Sequence, residues 1–218
     1  MRFREKHPSK SVPKDRTAFP PHPMNMKTFA FALAALTCAA FGAPALVPVA
    51  VTSRNVKIEK ILPAIVGTPE FTVTNTAPKR SQAQKWMEIE VEFAVEGVEI
   101  IDELTFKFDV LISGKLYPGE ITHVNIPKGK DRYTVMYISP RNLDRITGGK
   151  QLTAAMIENV WVTISKQGQA LAISSLKDKN VKVVPNLPQF PGLLTPKAET
   201  PFAPLWSDRY EAVKLPTR

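Results

Sequence analysis

This sequence predicts an all-β fold, an antiparallel β-sandwich of about seven to nine strands with a short crossover helix and a proline-rich C-terminal tail. Three observations predict it. Apolar and polar residues alternate with period two in several separate runs, a pattern that a strand sorts onto two faces and a helix scatters around its circumference. Turn-forming residues separate those runs at sandwich spacing. The last 34 residues carry seven prolines, Pro185, Pro188, Pro191, Pro196, Pro201, Pro204 and Pro216, too many for a core strand.

Residues 1–42 read as leader and signal peptide. Lys27 precedes an apolar run from Phe29 to Ala35, then Leu36, Thr37, Cys38, Ala39, Ala40, Phe41 and Gly42. A charged start, a short apolar middle and small residues at the end mark an export signal, too short to span a bilayer comfortably. Met24 and Met26 are better starts for it than Met1, because the intervening stretch is basic, bears prolines and lacks an apolar period. Cleavage after Gly42 leaves 176 residues, enough for one domain and a tail, with His123 as the sole histidine and no cysteine. Cys38 matches a lipid-acceptor pattern poorly, since Ala35 rather than leucine stands three places before it.

The whole chain has a formal charge of +9, but residues 1–42 hold seven of the 29 bases and two of the 20 acids. The remaining 22 bases and 18 acids give +4, spread along the chain, which makes no electrostatic case for nucleic acid. The exported part must hold itself by apolar burial, without disulfides.

Residues 43–53 form an extended lead-in, broken by Pro44 and Pro48, and the sandwich is expected over 54–184. Val56 and Ile58 alternate with Lys57 and Glu59. After a break from Pro63 to Pro69, Phe71 and Val73 make a second short candidate. The clearest run is Glu88 to Glu96, with Ile89, Val91, Phe93 and Val95 on one face and glutamates on the other. Beyond Gly97 and an acidic turn, Leu104, Phe106, Phe108, Val110 and Ile112 repeat the pattern, and the two runs are expected to pair. Glu120 to Pro127 and Tyr133 to Tyr137 read as a hairpin about Pro127–Asp131. Ser139 and Pro140 fit the cap and first position of a helix, with Leu143 and Ile146 on one side and Gly148, Gly149 ending it. Val160, Val162 and Ile164 face Leu171 and Ile173 across a turn at Lys166–Gln169, followed by a strand over Val181–Val184.

Candidate chemistry is sparse. His123 lacks a second histidine or a cysteine for a zinc site or thiol nucleophile, and reads as a lone strand-edge histidine. Carboxylate-based glycoside hydrolysis needs only Asp and Glu, but Glu88, Glu90 and Glu92 are spaced along what reads as a hydrated strand face. Glu96, Glu99, Asp102 and Glu103 lack the regular spacing of a Ca²⁺ loop and read as a solvated turn. No nucleophile elbow or phosphate loop is present. Trp86, Tyr117, Tyr133, Tyr137 and Trp161 are candidates for a sugar platform or, more simply, for the core. No catalytic, cofactor-binding or metal-binding residue is assigned. The tail, 185–218, retains Phe190, Phe202, Trp206 and Tyr210, large groups that a solvated linker seldom keeps. They are candidate partner-binding residues, or else anchors of a strap on its own domain.

The stretch Val56-Lys57-Ile58-Glu59-Lys60, the run Trp86-Met87-Glu88-Ile89-Glu90-Val91, the turn Ser139-Pro140-Arg141-Asn142-Leu143 and the proline-rich end resemble the Verrucomicrobial pilus-like proteins, which belong with a type IV pilus-like gene cluster. The resemblance covers the exported part of the chain. It implies an immunoglobulin-like sandwich in the periplasm, at the outer membrane surface or outside the cell. The implied role is structural or adhesive and non-enzymatic, with pilus-type envelope proteins or host surface proteins and glycans as partners. Carbohydrate binding and glycoside hydrolysis stand as alternatives. The long N-terminal apolar helix of a type IV pilin, with its early glutamate, has no counterpart here, because Pro44 and Pro48 interrupt the segment.

Overall fold

The computed structural model describes residues 51–71, 83–149, 153–177 and 184–214. Six strands and one α-helix follow in order: β1 (Val56–Gly67), β2 (Lys85–Ile112), β3 (Lys115–Ile138), α1 (Pro140–Thr147), β4 (Ile157–Lys166), β5 (Gln169–Ser175) and β6 (Leu194–Pro196). All named strand pairs are antiparallel, in the order β5-β4-β2-β3-β6 with β1 also on β2.

The β2–β3 hairpin is the spine. Ser113 and Gly114, with φ of 51° and 69°, make the tight turn at its tip, where both central residues need positive φ to match the twist of the strands. Halfway along, the spine folds over. Phe93 and Phe106 lie thirteen positions apart on β2, which would separate them by about 43 Å on a straight strand, yet their rings sit 4.8 Å apart. Register breaks between Phe93 and Val95 and between Val95 and Ile100 mark the bend. Gly97 serves it with φ of 75°, and a β-carbon there would stand 2.9 Å from Asn55 Nδ2.

Folding the hairpin creates the two layers. The first halves of β2 and the last half of β3 lie with β1 and β6, while the second half of β2 and the first half of β3 lie with β4 and β5. Between them Met87, Ile89, Val91 and Phe93 meet Leu104, Phe106, Phe108 and Val110, all fully buried. Each such side chain stabilises the fold by about 1.5–3 kcal/mol through burial. This is an all-β sandwich.

Several sequence expectations are corrected by that bend. The runs 88–96 and 104–112 do not pair with each other; they are successive parts of β2, and both pair with β3. The segments 120–127 and 133–137 are likewise one strand rather than a hairpin. Gly97 and Gly129 bend the strands where the sequence reads as turns, because a bulged strand and a tight turn use the same residues. The break expected at Pro63 is absent: β1 runs through it, Pro63 facing Ile89, which an edge strand tolerates because one of its sides donates nothing to a ladder. Among the described residues there are six strands, of which β2 and β3 each serve both layers. Phe71 is exposed and outside any strand, Val73 and 181–183 lie outside the described residues, and Val184 is not in a strand.

Other expectations stand. Ser139 Oγ accepts from the Asn142 amide, Pro140 occupies the first turn, and Gly148 closes α1 in the left-handed region, with Leu143 buried and Ile146 against the core. Gln167 and Gly168, at φ 50° and 80°, make the β4–β5 turn.

Candidate functional site: the C-terminal strap and the face it covers

From Pro188 to Lys214 the tail is tied to its own sandwich. Pro188 O accepts from the Leu116 amide and the Phe190 amide returns a bond to Leu116 O, at 3.0 and 2.8 Å. Asn142 Nδ2, from α1, donates to Leu193 O. Then β6 adds to the edge of β3, Leu194 facing Ile138 and Pro196 facing Met136. So the tail does contribute a strand, a three-residue one, with its proline at the end where a lost donor costs little. Gly119 makes room for it: a β-carbon there would lie 2.6 Å from Leu194 Cβ.

Beyond β6 the tail crosses the outer face of the first layer. Phe202 stacks on Tyr137 with ring centroids 4.7 Å apart and meets Trp86 edge-on at 5.7 Å. It forms a second apolar cluster with Val135, flanked by Val66, Leu205 and Tyr210. Arg209 lies over the Tyr133 ring at 3.7 Å and grips Glu90 through two bonds, Nε to Oε2 at 3.0 Å and Nη2 to Oε1 at 2.8 Å. The Tyr210 hydroxyl donates to the same carboxylate at 2.7 Å. The strap then reaches the first half of β3, where Ala212 O accepts from the Val124 amide and the Lys214 amide donates to Thr122 O.

The glutamate row is therefore not a hydrated face. Glu90 and Glu92 are buried; Glu92 pairs with Lys60 at 2.8 Å, and Glu88 accepts from the Tyr137 hydroxyl at 2.8 Å. Burial raises the Glu88 carboxyl, and the Tyr137 bond only partly offsets it. Burial also pulls Glu90 upward, but the bonds from Arg209 and Tyr210 outweigh it and hold that carboxyl below its ordinary range. Burial and the carboxylate neighbours push both tyrosine hydroxyls up, so they stay protonated and donating.

His123 is not a strand-edge residue in solvent. It is 1% exposed, between the layers, against Phe106. Nδ1 donates to Glu211 O of the strap at 3.0 Å, which leaves Nε2 to accept from Thr134 Oγ1 at 2.7 Å. Burial holds the imidazole below its ordinary pKa, against a smaller upward pull from the strap carbonyls. The ring is a neutral cross-tie.

The remaining candidates disperse. Glu99 pairs with Lys128, Asp102 with Lys166 and Glu103 with Lys214, and among the described residues no three metal-ligating side chains gather. Tyr117, Tyr137 and Trp161 are buried, so the five aromatics form no exposed platform. Of the four tail residues named from sequence, Phe202 is buried at 2% and Tyr210 is half-buried, while Phe190 and Trp206 stay 43% and 50% exposed. Trp206 holds φ of 51°, a conformation that a bulky side chain rarely adopts. Sequence reasoning missed Arg209 and its hold on Glu90; the cue was a tyrosine–arginine pair in an otherwise apolar tail.

Fold and site define a class: a sandwich bound by its own C-terminal strap, with the strap's charged and aromatic groups used to seat it. A protein-family model matches residues 48–217, and the chain belongs to that family. A crystal structure of a protein from Akkermansia muciniphila, a verrucomicrobium, is similar at 26% sequence identity and a TM-score of 0.65, over 75% of this chain and 94% of that one. No curated protein matches. Among the described residues no helix is long and apolar enough to cross a membrane.

Proposed function

We propose that this is an exported, non-enzymatic structural or interaction protein of a pilus-related system, contributing to adhesion or assembly at the cell envelope. The observation that carries the reading is the family match over 48–217, which spans sandwich and strap together; the family's pilus association supports the role. The signal-like residues 27–42 support export, to the periplasm, the outer membrane surface or the medium. Phe190 and Trp206 are the exposed apolar groups of the strap and the proposed partner contacts, with Phe202 and Tyr210 as the anchors that hold them in position. Exposed large aromatics on a fixed frame suit protein recognition, since they bring contact area at low entropic cost.

Chemical cross-linking in intact envelopes, followed by recovery of the protein and N-terminal sequencing, tests this. The reading expects a start at Ala43 and pilus-type envelope proteins as cross-linked partners, reduced in Phe190→Ser and Trp206→Ser variants. Recovery from the cytosol with Cys38 retained contradicts export. Turnover of mucin glycans, or glycan-array binding lost in Trp86→Ala and Trp161→Ala variants, would replace the reading with hydrolase or carbohydrate-binding module.

A further inference from the structure

The strap roofs a cavity of about 220 Å³, lined by Ile121, His123 and Val135 of the sandwich and by Lys197, Ala198, Ala203, Ser207 and residues 210–213 of the strap. Its polar groups are mostly committed. Both nitrogens of His123 are bonded, the Tyr210 hydroxyl is on Glu90, and the Glu211 carboxylate is on Arg132 at 3.2 Å.

Lys197 differs. Its ammonium donates to Ala203 O at 2.9 Å and sits over the Tyr210 ring at 5.4 Å, but it pairs with no carboxylate among the described residues. Partial burial disfavours its charge, which lowers its pKa. A cation lining a mainly apolar cavity, held by neutral acceptors only, is complementary to an anionic head on an apolar tail.

We propose that this cavity binds a small amphipathic carboxylate, its head on Lys197 and its alkyl chain against Ile121, Val135, Ala203 and Val213. Because strap residues form most of the walls, occupancy holds the strap down. The site is independent of the partner contacts at Phe190 and Trp206, and stands or falls apart from them.

Saturation-transfer NMR and thermal melts of the mature chain with hexanoate, hexylamine and hexanol test the proposal. Hexanoate should bind and raise the melting temperature. Its affinity should exceed that of hexanol by about tenfold, the size of one charge-assisted hydrogen bond. Lys197→Met should erase that preference, and Ala203→Phe, at an exposed position, should block the mouth while circular dichroism shows both variants folded. Equal binding of hexanol or hexylamine, undiminished hexanoate binding in Lys197→Met, or no binding of hexanoate would overturn it.

Discussion

The two halves of β2 carry the same alternating pattern and meet different fates on their outer faces. In the first half, Glu88, Glu90 and Glu92 each find a specific partner, and for Glu90 both oxygens are filled by the strap. In the second half, Lys107 stays exposed and pairs with one oxygen of buried Asp109 at 3.2 Å, while the other oxygen accepts no hydrogen bond among the described residues. Alternation fixes which residues face the core. What covers the opposite face is decided by distant chain, and burying a carboxylate costs least where that chain brings donors, as it does for Glu90 and not for Asp109.

The largest effect that breaks this comparison is expected from Phe202→Ala. It removes a fully enclosed ring between Tyr137 and Trp86, and should lower stability by about 3–4 kcal/mol in denaturant titration. A Phe106→Ala cavity in the shared core would be of similar size, so strap loosening must be read separately, from faster exchange of the Val124 amide in Phe202→Ala.

Next comes Arg209→Ala, which strands the Glu90 carboxylate against Tyr210 alone. Arg209 is itself partly exposed, so screening reduces the loss to about 2 kcal/mol. A double-mutant cycle with Glu90→Gln should return a coupling energy of about 1 kcal/mol or more. Additive effects would mean that the pair does not hold the strap.

A smaller, pH-dependent effect follows from His123. Its folded pKa is depressed, so the unfolded chain binds its proton first; stability is complete above about pH 6.5 and declines as pH falls from there toward the folded value. Glu90 adds stability that is kept above the ordinary carboxylate range and lost as pH drops below it. His123→Gln should remove the first decline and leave the second, as read from melting temperature against pH.

The smallest effect is expected from Trp206→Ala, a half-exposed residue at the strap's surface. Stability should change by no more than about 0.5 kcal/mol, while cross-linking to envelope partners falls.

Much of the fold was legible in the sequence because it depends on neighbours. The α1 cap at Ser139, the β4–β5 turn at Gln167–Gly168 and the inward residues of β2 all follow from local pattern. The continuity of β2 and β3 was not legible, since Gly97 and Pro127–Asp131 carry turn chemistry and only cross-strand register shows that the pairing resumes beyond them. The strap's docking was foreshadowed by its large apolar groups. The clamp was not, because Glu90 and Arg209 are 119 residues apart and each alone reads as an ordinary surface charge. His123 misled for the same reason: one of its two ring partners, Glu211 O, and its bridge to Val213 are brought back from the far end of the chain.

Native-state hydrogen exchange at the amides of Leu116, Val124 and Lys214 tests the central claim most directly, because their acceptors tie the strap to β3. If the strap is an integral part of the sandwich, all three exchange slowly and lose protection together in Arg209→Ala. Exchange at the rate of an unstructured peptide, with the β2–β3 ladder still protected, would show that the tail is not seated on the sandwich and would contradict the account.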